Sequence, residues 1–244
     1  MKGITKYNSK IISEVLGGKS YALSALDHLA DSPVCVDLGA NIGAFSLACK
    51  VWRPDARLIS VEPDPACFGF LQSNLSDFAD ADLRNIAISD TTGSVRLNVG
   101  RNDSVMNSIF AGAMADDARS VEVRSFGARE FLDDVLSTYG RIDLLKADIE
   151  GAEWHLANLP GGILASIPLI FMEYHSARFV AEFLPSMLTS HCLISGSIRF
   201  PHRGELALLR QDLIPADQAA FEIMPDLGSA ARRDRPDRPR ITRK

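Results

Sequence analysis

The stretch VCVDLGANIGAFSLACKVWRPDARLISVE, Val34 to Glu62, reads as strand, tight turn, helix, strand. Val34-Cys35-Val36 is a short apolar run of the kind buried on both faces, and it ends in a carboxylate, Asp37. Gly39 and Gly43 bracket a turn that must bend sharply and let the following helix pack on the strand. Ile42, Phe45, Cys49 and Trp52 recur at three- and four-residue steps, one face of a helix that Pro54-Asp55 stops. Leu58 to Val61 is the second strand, and Glu62 sits at its end, held extended by Pro63. The length suits a βαβ crossover, which predicts two parallel neighbouring strands.

Parallel sheets bind ligands outside the carboxyl ends of their strands, where both acids lie. Two ligand classes compete. A dinucleotide site needs Gly-x-Gly-x-x-Gly so that bare backbone can approach a pyrophosphate, and here Asn41 stands at the middle glycine. Asp37 would also set a negative charge beside two phosphates. S-adenosylmethionine (SAM) has no phosphate, but it carries an ammonium, a sulfonium and ribose hydroxyls. Asp37 can orient the cationic methionine end, and Glu62 can accept from both ribose hydroxyls. The residues therefore favour SAM over a nicotinamide or flavin dinucleotide.

The chain has 244 residues, enough for a sizeable core, with 46% apolar and 23% charged residues, as in an ordinary globular protein. The net charge of −5 argues against a general nucleic-acid binder. From Gly228 to Lys244 seven Lys/Arg face two Asp, so this +5 tail leaves about −10 on the rest, a split that marks a segment too apolar-poor to fold. Cys35, Cys49, Cys67 and Cys192 show no metal-ligand spacing, which predicts buried thiols in a reducing, cytoplasmic setting. No stretch reads as a signal peptide or a membrane span, because the longest apolar run, Gly161 to Met172, is broken by Pro168.

Organisation follows as an N-terminal segment and helix over 1–30, one domain over 31–227 and a disordered basic tail over 228–244. Lys10 to Leu16 reads as a short helix and Ser20 to Ala30 as an amphipathic one lying over the first strand. Asp64-Pro65 caps a helix to about Leu75, and Leu83 to Ile88 reads as a third strand. Its end would bring Ala87 and Ile88 to the crevice to flank an adenine. Val95–Val99 and Val121–Phe126 read as strands around a long polar loop that could cover the cleft. After a helix over Glu130–Tyr139, a fourth strand from Ile142 ends at Asp148, beside Lys146, Glu150, Gly151 and Glu153. A fifth, Leu169–Met172, ends in Glu173-Tyr174-His175; a helix, a hairpin over Cys192–Ile198 and Leu206–Leu209, and an ordered piece over Pro215–Ile223 complete the chain.

Four segments, VDLGANIG (Val36–Gly43), VEPDP (Val61–Pro65), LLKADIEGAEW (Leu144–Trp154) and FMEYH (Phe171–His175), resemble in order and spacing the FkbM-type SAM-dependent methyltransferases. The resemblance covers roughly residues 34–175. It implies an α/β, Rossmann-like class I methyltransferase: a mostly parallel seven-stranded sheet flanked by helices, with a C-terminal antiparallel hairpin. It further implies SAM as donor and O-methylation of a hydroxyl on a small molecule or sugar. The family often carries Asp where this chain has Gly127.

The expected cofactor contacts are the turn residues Asp37, Gly39, Ala40, Asn41 and Gly43, then Glu62 and Pro63, then Ala87, Ile88 and Asp148. An alcohol acceptor needs a base, worth about 10²–10⁴-fold. Asp148, Glu150 and His175 are the expected catalytic residues, with His175 as the base because an ordinary imidazole titrates near neutrality. Lys146 should hold Asp148 and Glu150 ionised. No metal is expected. Two other classes remain, a dinucleotide-dependent oxidoreductase and an idle SAM-binding module that uses the tail as an interaction arm.

Overall fold

The computed structural model describes residues 21–99, 119–159, 162–200 and 203–214, with residues 1, 9, 13 and 15. The expected helix over Lys10–Leu16, apart from residues 13 and 15, most of the 100–120 loop, the piece over Pro215–Ile223 and the 228–244 tail fall outside the described residues.

Ten strands are present among the described residues: β1 (Val34–Leu38), β2 (Arg57–Val61), β3 (Asp82–Arg84), β4 (Ala87–Ser89), β5 (Gly93–Val99), β6 (Arg119–Gly127), β7 (Leu144–Ala147), β8 (Leu169–Tyr174), β9 (His191–Phe200) and β10 (Arg203–Arg210). Seven of them form one sheet in the order β3-β2-β1-β7-β8-β10-β9. Neighbours from β3 to β8 run parallel, and β10 lies antiparallel to both β8 and β9. The order turns back at β1, because β2 and β3 lie to one side and β7 and β8 to the other. That switch point opens a crevice at the strands' carboxyl ends, as expected.

Period two assigns the two faces. Val34, Val36 and Leu38 join a cluster with Phe131, Leu132 and Val135 of α3 (Ala128–Tyr139) and Phe179 and Phe183 of α6 (Ala177–Met187). Cys35 faces the opposite layer, with Phe45, Ala48 and Cys49 of α1 (Ala44–Trp52). All five residues of β1 are buried because both faces are covered. Each fully buried Phe or Leu contributes about 1.5–3 kcal/mol. As expected, α2 (Pro65–Asn74) begins with Pro65 behind Asp64, whose Oδ1 accepts from the Ala66 amide at 2.9 Å. Two short helices, α4 (Trp154–Ala157) and α5 (Ile163–Ser166), connect β7 to β8.

Two expectations are corrected. The segment before β1 is a six-residue 3-10 helix, Leu23–His28, and not an amphipathic α-helix over Ser20–Ala30. Arg53 donates to the carbonyls of Leu26, Leu29 and Ala30, so these acceptors are taken by a side chain rather than by an extended helical ladder. The strand expected over Leu83–Ile88 is two strands in two sheets. β3 closes the edge of the main sheet, whereas β4 pairs with β6 in a small sheet of order β4-β6-β5. Asn85 makes the break: its Nδ2 donates to the carbonyls of Glu62 at 2.8 Å and Pro63 at 3.1 Å, which ties the chain down between the two.

Candidate active site

Beyond β1 the backbone turns left-handed three times, at Gly39 (φ 74°), Asn41 (φ 51°) and Gly43 (φ 90°). The turn is tied to the end of β2, because the amides of Gly39 and Ala40 both donate to the Val61 carbonyl, at 3.0 and 2.9 Å. A Cβ on Gly39 would run into the carbonyl oxygen of Asp148, so the β1 and β7 loops meet backbone to backbone. On the far side Gly43 packs under Leu71 of α2, and Asn74 Nδ2 donates to the Ile42 carbonyl at 2.8 Å. Asn41 tolerates its φ because its own Oδ1 accepts from the Ile42 amide at 2.9 Å.

Glu62 closes the turn. Its Oε2 accepts from the Asn41 amide and its Oε1 from the Asp64 amide, each at 2.8 Å. It is 5% exposed, and burial pushes its pKa up to about 7 against the opposing pull of the two amides. Each oxygen keeps a second lone pair, which suits a vicinal diol.

Asp37 was expected to orient the cationic methionine end of the cofactor. It is 1% exposed and points into the protein. Oδ2 accepts from Ser46 Oγ at 2.7 Å, and Ser46 in turn meets Ser60 Oγ at 2.8 Å. Oδ1 forms an ion pair with Lys146 Nζ at 3.1 Å. Lys146 therefore pairs with Asp37; it was expected to hold Asp148 and Glu150 ionised, but burial raises the pKa of both despite its charge near Asp148. The same ammonium donates to the carbonyls of Gly39 at 2.8 Å and Leu38 at 3.2 Å.

At the mouths of β7 and β8 the structure gathers Asp148, Glu150, Glu153, Glu173 and His175, joined by Arg203 from β10. His175 Nδ1 lies 3.0 Å from Glu153 Oε1, and Nε2 lies 3.1 Å from Glu150 Oε2. Glu153 Oε1 also accepts from the amides of Ile149 and Gly151, both at 3.2 Å. Arg203 Nε donates to Glu173 Oε1 at 2.6 Å, and a terminal nitrogen reaches Glu150 Oε1 at 3.4 Å. Burial works against a charge on His175, but Glu150 and Glu153 outweigh it and push its pKa up to about 10. A charged imidazole has no lone pair to offer, which counts against the expectation of His175 as the base. Asp148 differs: its Oδ1 is buried with no hydrogen-bond partner. Burial first, then the like charge of Glu173, raises its pKa.

Ligand atoms of Asp148, Glu173 and His175 lie within 4.8 Å of one another, a group able to share a cation. A metal ion there would have to displace both the imidazolium proton and the Arg203 contact, so the residues present fit one poorly.

The structure thus unites the turn residues, Glu62 and Asp148, and sets Glu150 and His175 beside them. It does not bring Ala87 and Ile88 to the main-sheet crevice. Ala87, 2% exposed, packs with Leu97 and Val123 in the small sheet, and Ile88, 4% exposed, packs in the main core. Ala40 turns its side chain to Leu71 and Leu75, leaving its backbone to the turn, and Pro63 contributes a carbonyl to Asn85. Ser46, Lys146 and Arg203 were not expected in these roles. The spacing of Glu153 from Glu150 held a signal, one helical turn. Arg203 had none, because only the antiparallel register, Gly204 opposite Tyr174, carries it to Glu173.

The model of the methyltransferase FkbM domain matches residues 37–189. Methyltransferase sdnD of Sordaria araneosa is 30% identical over 154 residues, 52% of this chain and 60% of that protein. This chain therefore matches less than two thirds of sdnD. The 2-O-methyltransferase NoeI of Sinorhizobium fredii is 28% identical over 172 residues, 63% of this chain and 68% of that one. Among solved structures, precorrin-6y C5,15-methyltransferase from Geobacter metallireducens aligns at 14% identity with a TM-score of 0.45, covering 86% of this chain and 90% of its own.

Proposed function

We propose, for a chain that belongs to the FkbM methyltransferase domain family, that it methylates a hydroxyl oxygen on a small molecule or sugar. SAM is the donor. The crevice fits it, since Glu62 offers a buried carboxylate to a diol beside a left-handed turn of bare backbone. Glu62 would hold the ribose, and the backbone from Gly39 to Gly43 would line the methionine side. Bound there, SAM supplies an electrophilic methyl carbon on a sulfonium.

The observation that carries the choice of oxygen is the free Oδ1 of Asp148, a residue whose backbone carbonyl abuts the Gly39 turn. An alcohol must lose its proton as its oxygen is methylated, and Asp148 can take that proton on Oδ1. Its raised pKa makes it a stronger base than an ordinary aspartate. Arg203 and the His175 cation hold Glu173 and Glu150 aside, so Asp148 is the carboxylate left for the acceptor. The likeness to a protein named a 2-O-methyltransferase supports the same reading. The buried thiols of Cys35, Cys49 and Cys67 support a reducing, cytoplasmic setting. Among the described residues no helix is long and apolar enough to cross a membrane.

The test is incubation with SAM labelled in its methyl group and a metabolite extract, followed by mass spectrometry and NMR of the labelled product. A methyl ether is expected. Label on nitrogen or carbon would overturn the choice of oxygen, and SAM binding without turnover of any acceptor would point to the idle module.

A further inference from the structure

Lys146 lies on β7 directly opposite Asp37 on β1, on neighbouring parallel strands in register. It is 3% exposed, and its ammonium has three donors. Three oxygens surround it: Asp37 Oδ1 at 3.1 Å, Leu38 O at 3.2 Å and Gly39 O at 2.8 Å. All three belong to the strand end and turn that open the cofactor crevice. Two of these are hydrogen bonds to backbone carbonyls and the third is an ion pair.

The turn creates the need. With Gly39, Asn41 and Gly43 all left-handed, its carbonyls leave the sheet ladder and turn into the protein. A buried carbonyl without a donor is costly, and a bare ammonium there would be more so without a counter-ion. Lys146 answers the first demand and Asp37, held by Ser46, answers the second. The turn's other attachments named above, the amides of Gly39 and Ala40 on Val61 O, that of Asn41 on Glu62 and Asn74 Nδ2 on Ile42 O, come from β2 and α2. Lys146 is thus the side-chain tether from the β7 side, working with the Asp148 amide on Leu38 O.

We propose that Lys146 is a positioning residue, bracing the Gly39 turn in its cofactor-binding shape from beneath, and that Asp37 is its counter-ion rather than a cofactor ligand. This rests on the crevice taking SAM. Because the brace sets the shape of the whole turn, and with it the Asn41–Glu62 bond, its loss should weaken every ligand that uses the ribose carboxylate. Direct recognition of the methionine tail by Asp37 would weaken only ligands that carry that tail.

The experiment measures binding of S-adenosylhomocysteine and of 5′-methylthioadenosine, which lacks the amino-acid end, to wild type, Lys146→Met, Asp37→Asn and the double variant Asp37→Leu/Lys146→Met. Lys146→Met should weaken both ligands by a similar factor, about tenfold or more, with kcat at saturating SAM held within a few-fold, the pattern of lost uniform binding. Asp37→Asn should weaken both in the same proportion but less. The double variant removes the buried charge as well, so it should recover thermal stability yet stay weak in binding, because the Gly39 carbonyl still lacks its donor. Recovery of binding in the double variant would reduce Lys146 to a neutraliser of Asp37 and overturn the brace. Loss of S-adenosylhomocysteine with methylthioadenosine unaffected would do so too, in favour of direct recognition. Should Lys146→Met fail to fold, Asp37→Asn and the double variant carry the same comparison. Wild type that binds neither ligand would break the cofactor reading instead. Hydrogen exchange at the Gly39 and Ala40 amides still tests the brace in that case: faster exchange in the double variant supports it, and unchanged exchange sinks it.

Discussion

The two halves of the crevice are both lined with acids at strand mouths, yet they treat those acids in opposite ways. Around the Gly39 turn each carboxylate has its own fixed partners: two backbone amides for Glu62, a serine and a lysine for Asp37. At the mouths of β7 and β8 four carboxylates share two cations; Asp148 Oδ1 there and Asp37 Oδ1 under the turn both lack a hydrogen bond, but Asp37 Oδ1 has its own ion pair with Lys146. A site whose carboxylates each keep a counter-group of their own is rigid and binds one shape. A site with an unsatisfied acceptor holds a group that can still do chemistry. The first half is therefore built to hold, the second to react.

The largest effect should come from the point where the halves touch. Gly39→Val places a β-branched side chain at φ 74° and drives its Cβ into the Asp148 carbonyl. We expect a loss of about 4 kcal/mol or more, at the far end of single substitutions, with no measurable SAM binding. Thermal unfolding and calorimetric titration read both. A variant that keeps wild-type affinity would mean that the loops part freely and the halves are not joined.

Asp148→Asn follows. It removes the proton acceptor while keeping the shape, so single-turnover methyl transfer should fall by about 10²–10⁴. SAM affinity should change only a few-fold, because Glu62 and the turn are untouched. A fall in affinity equal to the fall in rate would move Asp148 to the holding half.

The difference also explains what the sequence could show. The turn, the Asp64-Pro65 cap and the two acids at strand ends are local signals, each set within a few residues, and the structure keeps all of them. The two-faced burial of β1, read from its unbroken apolar run, is likewise local. Asn85 is different: nothing around it says that its side chain will reach two carbonyls at the end of β2 and split one expected strand into two. The raised pKa of His175 was hidden for the same reason, because it depends on Glu150 and Glu153, which fold against it from the β7 loop. Arg203 arrives by the register of a hairpin. Residues defined by neighbours close in sequence were legible; those defined by cross-sheet charges were not.

Glu62→Gln should weaken SAM by about 1.5–3 kcal/mol, the range for a hydrogen bond to a charged group. The wild type carries a sharper signature. A diol donates to the ionised carboxylate, and without ligand that carboxylate titrates at about 7. SAM affinity should therefore rise as pH increases through about 7 and level off above it, whereas Glu62→Gln should show a flat profile. A flat profile in wild type would place the ribose elsewhere.

The smallest effect separates the halves by pH alone. Both Glu62 and His175 have folded pKa values raised above their unfolded ones, to about 7 and about 10. In each case the folded state binds more protons between the two values, so stability falls as pH rises across that window. For Glu62 the window runs from its ordinary 4.5 to about 7, and for His175 from 6.5 to about 10. SAM favours ionised Glu62 and should flatten the lower window, because the ligand lowers that folded pKa. It should leave the upper window unchanged, since His175 is held by Glu150 and Glu153 and not by the cofactor's diol. His175→Gln should do the reverse, flattening the alkaline fall and sparing the acidic one. Melting temperatures from pH 5 to 10, with and without SAM, measure all four combinations. If SAM flattens both windows, the cation at His175 senses the cofactor, and the crevice is one coupled site rather than a holding half beside a reacting half.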